Sequence, residues 1–233
     1  MPYENLGHAN LPTLNHSPAL GDSTQERILS AAEALYVTQG FDGTSLRAIT
    51  KLAGVNLAAV NYHFGNKEGL IRTLLTRRLD PLNSIRLERL NAYTRSDVVP
   101  TAEILLQIMF LPALELAKSA SPTGFNFLRL LGRAYSDPSP YTQALLSNHY
   151  ATAIVQFKDA FAKAIPHVPA AELKLRLHFT MTALSTTLAN HDLLRLMAPL
   201  RNKKSKTETD ENIVLNQLIP FLVAGLVTPS VAL

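Results

Sequence analysis

With 233 residues, 47% of them hydrophobic and 17% charged, the chain can form one large helical domain or a small module joined to a larger one. Leu and Ala dominate, Gly is sparse and Trp is absent, which favours a helical globular protein over a sandwich or a disordered chain. The net charge of +4 suits nucleic acid or an anionic surface without requiring either, and the lack of Cys excludes disulfides, thiolate metal sites and cysteine nucleophiles.

Residues 1–22 contain three prolines, three asparagines and two histidines without an apolar period, and read as a flexible tail. They lack the positive and apolar regions of a secretory signal. No run nears the roughly 18 apolar residues of a membrane span. The expectation is a soluble cytoplasmic protein with no membrane partner.

Order is expected to begin at Ser23-Thr24-Gln25-Glu26, a capping-box spacing in which Ser23 and Glu26 satisfy each other's amides. Ile28, Ala32, Leu35 and Tyr36 then recur at helical spacing up to Gly40. Thr44 or Ser45 caps a short helix that turns Leu46, Ile49 and Leu52 inward, and Ala53-Gly54-Val55 makes a tight turn. Asn56 caps a third helix with Leu57, Val60 and Phe64 spaced for burial, and Gly65-Asn66 ends it. A long fourth helix runs from Lys67 to about Tyr93, with Pro81 kinking or interrupting it.

Three short capped helices around a Gly-containing turn are what a helix-turn-helix requires, with the second of the pair entering the DNA major groove. Asn56 and Asn61 fall on that reading helix and Arg47 on its support. Tyr62, His63 and Lys67 flank it where a phosphate backbone would run. A plain three-helix bundle with a polar surface fits the spacing equally well.

The residues go further than the spacing. Leu46-Arg47-Ala48-Ile49, Ala53-Gly54-Val55 and Asn61-Tyr62-His63-Phe64-Gly65-Asn66-Lys67-Glu68-Gly69-Leu70, preceded by Phe41-Asp42-Gly43-Thr44-Ser45, closely resemble the DNA-binding domain of the TetR family of repressors. The likeness covers roughly 23–72. It implies that Arg47, Leu57, Ala58 and Asn61 approach bases while Ser45, Tyr62, His63 and Lys67 lie along phosphates, with Thr44 and Asn56 also among the DNA-binding residues. Leu57-Ala58-Ala59 departs from relatives that carry polar readers there, so thymine-methyl contact or shape readout would outweigh hydrogen bonding.

Beyond Asp97 charges thin out and aromatics gather. Pro100, Pro112, Pro122, Pro138-Ser139-Pro140 and Pro166 to Pro169 are expected to cut this half into ordinary helices. A helix from about Ala170 to Met197, a polar run Arg201–Asn212 and an apolar helix through Leu226 complete the chain. Phe125, Leu128, Leu131 and Tyr135 suit one apolar face, and Tyr150, Ile154, Phe157 and Phe161 another. They either line a pocket between helices together with Phe110 or form plain core. Arg129 stands among Phe125, Leu128 and Leu131. If buried it needs a partner, which an acyl carboxylate would supply, and an internal salt bridge or a snorkelling stem is the ordinary alternative. The histidines show no metal-ligand spacing, and neither a metal nor a cofactor is expected.

Two stretches, Val55-Asn56-Leu57-Ala58-Ala59-Val60-Asn61-Tyr62-His63-Phe64 and Phe127-Leu128-Arg129-Leu130-Leu131-Gly132, are similar to the PsrA-type branch of the family. So are His167-Val168-Pro169 and Arg176-Leu177-His178-Phe179. That branch is linked to long-chain fatty acids, which implies a fatty acid or acyl-CoA as ligand. The family also implies homodimerisation, for which Leu173, Leu177, Met181, Leu184 and Leu188 would pack with Ile213, Leu218, Phe221, Leu222 and Leu226.

The expectation is therefore an all-α protein: a flexible tail (1–22), a three-helix helix-turn-helix domain (23–72) and a larger helical ligand-binding and dimerisation domain (73–233). It would bind double-stranded DNA as a homodimer, act as a repressor and release when an apolar ligand binds. An enzyme is disfavoured by the absence of Cys, a Ser-centred elbow, a phosphate loop or paired carboxylates. The alternative is a helical ligand-binding or adaptor protein without specific DNA binding.

Overall fold

The computed structural model describes residues 23–119, 124–189 and 210–230, with side chains from 126 to 187 and from 216 onward in the latter two segments. The tail 1–22 and the run 201–209 lie outside them. The described residues form ten helices and no strand: α1 (Thr24–Gly43), α2 (Leu46–Ala53), α3 (Leu57–Phe64), α4 (Lys67–Arg95), α5 (Ala102–Ser119), α6 (Gly124–Ser136), α7 (Pro140–His149), α8 (Ala151–Ala164), α9 (Ala170–Ala189) and α10 (Asp210–Val227).

Local side-chain chemistry sets the ends of the first four helices. Ser23 Oγ accepts from the Glu26 amide at 3.3 Å, Ser45 Oγ from Ala48 at 3.1 Å, Asn56 Oδ1 from Ala59 at 2.9 Å and Asn66 Oδ1 from Gly69 at 2.7 Å. Each satisfies an amide that the first turn of a helix leaves without a carbonyl. The expected reciprocal capping box is only half made. The Glu26 carboxylate turns away from Ser23 and takes both oxygens to Arg77 Nη1 at 2.7 and 2.9 Å, because a charged partner attracts it more strongly than a neutral amide does. At Gly40 (φ 69°, ψ −171°) the helical path breaks inside α1, a conformation that glycine reaches without a Cβ penalty.

In α2, Leu46, Ile49 and Ala53 face inward and Leu52 is exposed, which corrects the expected stripe. Positions i, i+3 and i+7 share a helix face, and i+6 stands off it. In α3 only Val60 is buried, Phe64 is half-buried and Leu57 faces solvent.

Helix α4 continues through Pro81. Helix α5 continues through Pro112, against the expectation that this proline would cut the chain. A proline inside a helix costs about 3 kcal/mol. Leu105, Leu106, Ile108, Phe110, Leu114 and Leu116 are all buried on α5, and each large apolar side chain so buried contributes about 1.5–3 kcal/mol. The packing outweighs the breaker. Conversely, the chain breaks between α7 and α8 at Tyr150 (φ −106°, ψ 19°), where no proline or glycine signals it.

One apolar core runs from Ile28 on α1 to Leu226 on α10. Helices α1 and α3 pack on α4, and α2 is held against α1 and α3; α6 packs on α1, α5 and α9, and α10 lies against α5 and α9. Arg176 holds the end of α10: its Nη1 donates to Leu226 O at 2.8 Å and also to Thr228 O. His167 Nε2 lies 2.9 Å from Val227 O. The expected dimer stripes need correction. Leu173, Leu184, Leu222 and Leu226 are buried within the single chain, because α9 and α10 spend those faces on α5, α6 and each other. Leu188 and Ile213 have side chains outside the described set. Among the described large apolar side chains of α9 and α10, those left exposed are Leu175, Phe179 (64%), Phe221 (72%) and Val227.

Candidate functional site: a nucleic-acid interface

Helices α2 and α3 are joined by Gly54, whose left-handed backbone (φ 64°, ψ 41°) turns the chain in a single residue. Arg27 on α1 fixes the turn. Its Nη2 donates to Ala53 O at 2.6 Å and Gly54 O at 2.7 Å, and its Nε to Ala53 O at 3.1 Å. A guanidinium at the carboxyl end of a helix satisfies carbonyls that have no amide of their own and opposes the helix dipole. Nothing in the sequence singled out Arg27, because its partners lie more than twenty residues away.

With the turn fixed, α3 presents Asn56, Leu57, Ala58, Asn61, Tyr62 and His63 to solvent. Tyr62 is 86% exposed, and its ring meets the His63 ring edge-on at 5.1 Å. Ser45 and Arg47 are exposed on the neighbouring helix. Asn56 spends its Oδ1 on the cap, so only its amide nitrogen is left to donate outward. Lys67 is half-buried at the start of α4 and holds its Nζ 4.3 Å from the centre of the Phe41 ring, an attraction worth about 0.5–2 kcal/mol. The surface thus combines amides, a hydroxyl, cations and exposed apolar groups around one projecting helix. Those groups suit base edges, thymine methyls and phosphates.

Thr44 does not belong to this surface. It is buried, and its hydroxyl donates to Gly40 O at 2.6 Å. It tightens the break in α1 and cannot meet a phosphate through its side chain.

The same break is tied to the other half of the molecule. Buried Asp137, at the end of α6, accepts from the Phe41 amide at 2.8 Å through Oδ2 and from the Ser139 amide at 3.0 Å through Oδ1. Tyr141 stacks on the Phe41 ring at 4.6 Å and donates its hydroxyl to Glu68 O at 2.6 Å. Burial pushes the Tyr36 phenol up beside Thr142 and Asp137. Asp137→Ala would leave two buried amides without acceptors, so it is expected to lower stability by about 2–4 kcal/mol. Denaturant unfolding would read this as a fall in midpoint at unchanged slope.

Among the described side chains, none of those expected to bind ligand lines the groove between α4 and α8. Phe110, Leu128 and Phe157 are buried in the core. Tyr135 is half-buried, and its hydroxyl accepts from Arg86 Nη1 at 2.8 Å. The Phe125 side chain lies outside the described residues. Arg129 is exposed, in line with the snorkelling alternative and not with a buried cation: it sits on the outer face of α6 while Leu128, Leu130 and Leu131 take the inner one. A groove of about 400 Å³ opens elsewhere, between the end of α4 and α8, lined by Leu90, Tyr93, Val98, Gln156, Ala160 and Lys163 among others. Among the described residues no group of acidic, His or Cys side chains is arranged to hold a metal, and no helix is long and apolar enough to cross a membrane.

The chain is 36% identical over 89 residues to the probable HTH-type transcriptional regulator YttP of Bacillus subtilis (strain 168), covering 38% of this chain and 41% of that protein. It is 36% identical over 64 residues to the HTH-type transcriptional regulator SrpR of Pseudomonas putida, covering 28% of this chain and 30% of that one. These matches thus span less than half of the relatives' own lengths. A solved structure of a putative tetR family transcription regulator from Shewanella sp. PV-4 overlays with a TM-score of 0.48 at 18% identity, over 75% of this chain and 90% of that one. Residues 28–74 match the family of bacterial regulatory proteins named tetR, and residues 107–225 match the tetracyclin repressor-like C-terminal domain. The two matches cover α1–α3 with the start of α4, and α5 through most of α10, and the chain belongs to the TetR family.

Proposed function

We propose that this protein is a cytoplasmic transcriptional repressor that binds an inverted-repeat operator as a homodimer and leaves it when an apolar small molecule occupies the C-terminal half. The family is one of regulators rather than enzymes. The observation that carries the reading is the exposed outer face of α3, with Asn56, Leu57, Ala58, Asn61, Tyr62 and His63 facing solvent between exposed Ser45 and Arg47 and the cation of Lys67. Residues 23–72 would read DNA and 73–233 would bind ligand and dimerise, though the division falls inside α4. The PsrA-type likeness and the apolar character of α5, α6 and α8 favour a long-chain fatty acid or its acyl-CoA thioester as ligand. Exposed Leu175, Phe179 and Phe221 favour α9 and α10 as the dimer face.

Selection of bound fragments with the purified protein, followed by footprinting, tests this. Two protected half-sites about one helical turn apart are expected. Protection of a single half-site by monomer would overturn the dimeric reading, and no duplex affinity at low salt would favour a helical adaptor protein instead. Lys67→Ala is expected to weaken binding to every sequence and reduce the salt slope by about one unit. Asn61→Ala is expected to change preference at defined base pairs by about 1–3 kcal/mol. Binding titrations across salt and operator variants separate the two roles.

For release, the ligand must favour a conformation in which the two reading helices no longer fit the half-sites. The contacts of Asp137 and Tyr141 with Phe41 and Glu68 offer a direct route. A shift of the α6–α7 junction would reach the base of the helix-turn-helix and the ring on which Lys67 rests.

A further inference from the structure

Four arginines of α4 are at least partly withdrawn from solvent, and three of them have a carboxylate. Arg77 pairs with Glu26 at 2.7 Å, Arg78 with Glu33 at 2.8 Å and Arg89 with Glu115 at 2.5 Å. Arg86 is the most buried of the four, at 4% exposure, and no carboxylate of the described residues pairs with it. Its hydrogen-bond partners are neutral. Nε donates to Met109 O at 2.7 Å, and Nη1 donates to Asn83 Oδ1 at 3.3 Å and Tyr135 Oη at 2.8 Å. A guanidinium carries five N–H donors. Three are placed, and both on Nη2 are buried without an acceptor. Neutral acceptors orient the group without neutralising it, and a buried charge left in that state is costly.

We infer that Arg86 anchors the anionic group of the ligand, and that this group is a carboxylate. The inference rests on the proposed reading of the C-terminal half as ligand-binding, and it narrows the ligand. One buried positive charge is balanced by one negative charge, as a carboxylate supplies, whereas a phosphate dianion would leave an excess charge beside Arg86. A thioester has no charge at the acyl head, so the free acid binds and the acyl-CoA does not. Tyr135 accepts from Nη1, which leaves its own hydrogen to donate to a carboxylate oxygen beside Nη2. Leu90 and Tyr93 follow Arg86 on α4 at i+4 and i+7, the same helix face, and both line the groove between α4 and α8. Arg86 lies one turn inward of the groove lining, so a ligand entering past Leu90 would carry its acid to Nη2 and keep its apolar body against Leu90, Tyr93 and Ala160, with Lys163, Asp97 and Asp159 along the same groove. Arg129, on the outer face of α6, has no part in this.

Calorimetric titration of the full-length protein with dodecanoate, 1-dodecanol, dodecyl phosphate and dodecanoyl-CoA tests the assignment. Dodecanoate is expected to bind at least tenfold more tightly than the other three. Arg86→Gln should bring the acid-to-alcohol ratio to about one while leaving alcohol binding in place, and Arg129→Gln should leave the ratio unchanged. If a melting scan shows that Arg86→Gln does not fold, Tyr135→Phe takes its place, with the ratio expected to fall severalfold. Equal binding of acid and alcohol by the unaltered protein would overturn the inference, as would an unchanged ratio in folded Arg86→Gln or in Tyr135→Phe. If acids do not bind and a neutral compound releases the operator, the inference fails and the proposed function stands. If dodecanoate binds through Arg86 and operator affinity never changes, the inference stands and the regulatory reading fails.

Discussion

Gly69→Ala is expected to lower Tm by about 2–12 °C and operator affinity at least tenfold. A Cβ at position 69 would lie 2.1 Å from the Phe64 carbonyl oxygen, a backbone atom, and 3.3 Å from both Phe64 C and Asn66 Oδ1. A side chain could rotate away, but a carbonyl at the end of α3 moves only if the helix moves. Overpacking of this kind costs about 1–3 kcal/mol, and each kcal/mol shifts Tm by about 2–4 °C at this chain size. The shift would displace the end of α3, where Asn61, Tyr62 and His63 project, relative to Lys67. Gly225→Ala is the matched control. Nothing lies within 4 Å of a Cβ there, and an alanine in an open helical position gains up to about 1 kcal/mol. Calorimetry and operator titration on the pair read both effects. Equal behaviour of the two variants would show that the close approach at Gly69 is not a constraint.

Leu184→Glu is expected to abolish folding rather than produce monomers. Leu184 is 1% exposed within the single chain, on the helix that packs most extensively against α6. The substitution removes an apolar side chain worth about 2–5 kcal/mol in a core and adds an unpaired carboxylate in its place. Together these approach the 5–15 kcal/mol that holds a typical domain folded. Phe179→Glu with Phe221→Glu should do the reverse, since both rings are exposed. Helicity and Tm should stay near the unaltered values while sedimentation shifts to the monomer. A folded Leu184→Glu monomer would return the interface to the inner face of α9. A dimeric double variant would place it on another surface.

Much of the N-terminal half was legible because its signals are local. Ser23, Ser45, Asn56 and Asn66 each cap an amide three residues on. Gly40, Gly54 and Gly65 each adopt a positive φ at a helix break or end. Such contacts depend on chemistry within one turn, so spacing alone exposes them. Thr44 shows the limit of that logic. A hydroxyl beside a helix start suits a cap or a phosphate, and the fold uses it for neither, turning it inward to Gly40.

The sequence by itself therefore determined the helical class, the four-helix beginning with its tight turn, and the exposure of the polar positions on α3. Each follows from side-chain period and from hydrogen bonds closed within a few residues. Only the tertiary structure decided the rest, because the competing interactions there are long-range. Glu26 chose Arg77, 51 residues away, over its neighbour's amide. Pro112 stayed inside α5 because buried neighbours outweigh a missing amide. Apolar stripes on α9 and α10 look alike whether they face their own core or a second chain, and packing against α5 and α6 assigned Leu184 and Leu222 to the core. The same ambiguity governed the arginines. The composition of α6 pointed to Arg129, yet burial depends on which way a helix is rotated in the assembled fold. That rotation left Arg129 outside and enclosed Arg86 among neutral acceptors.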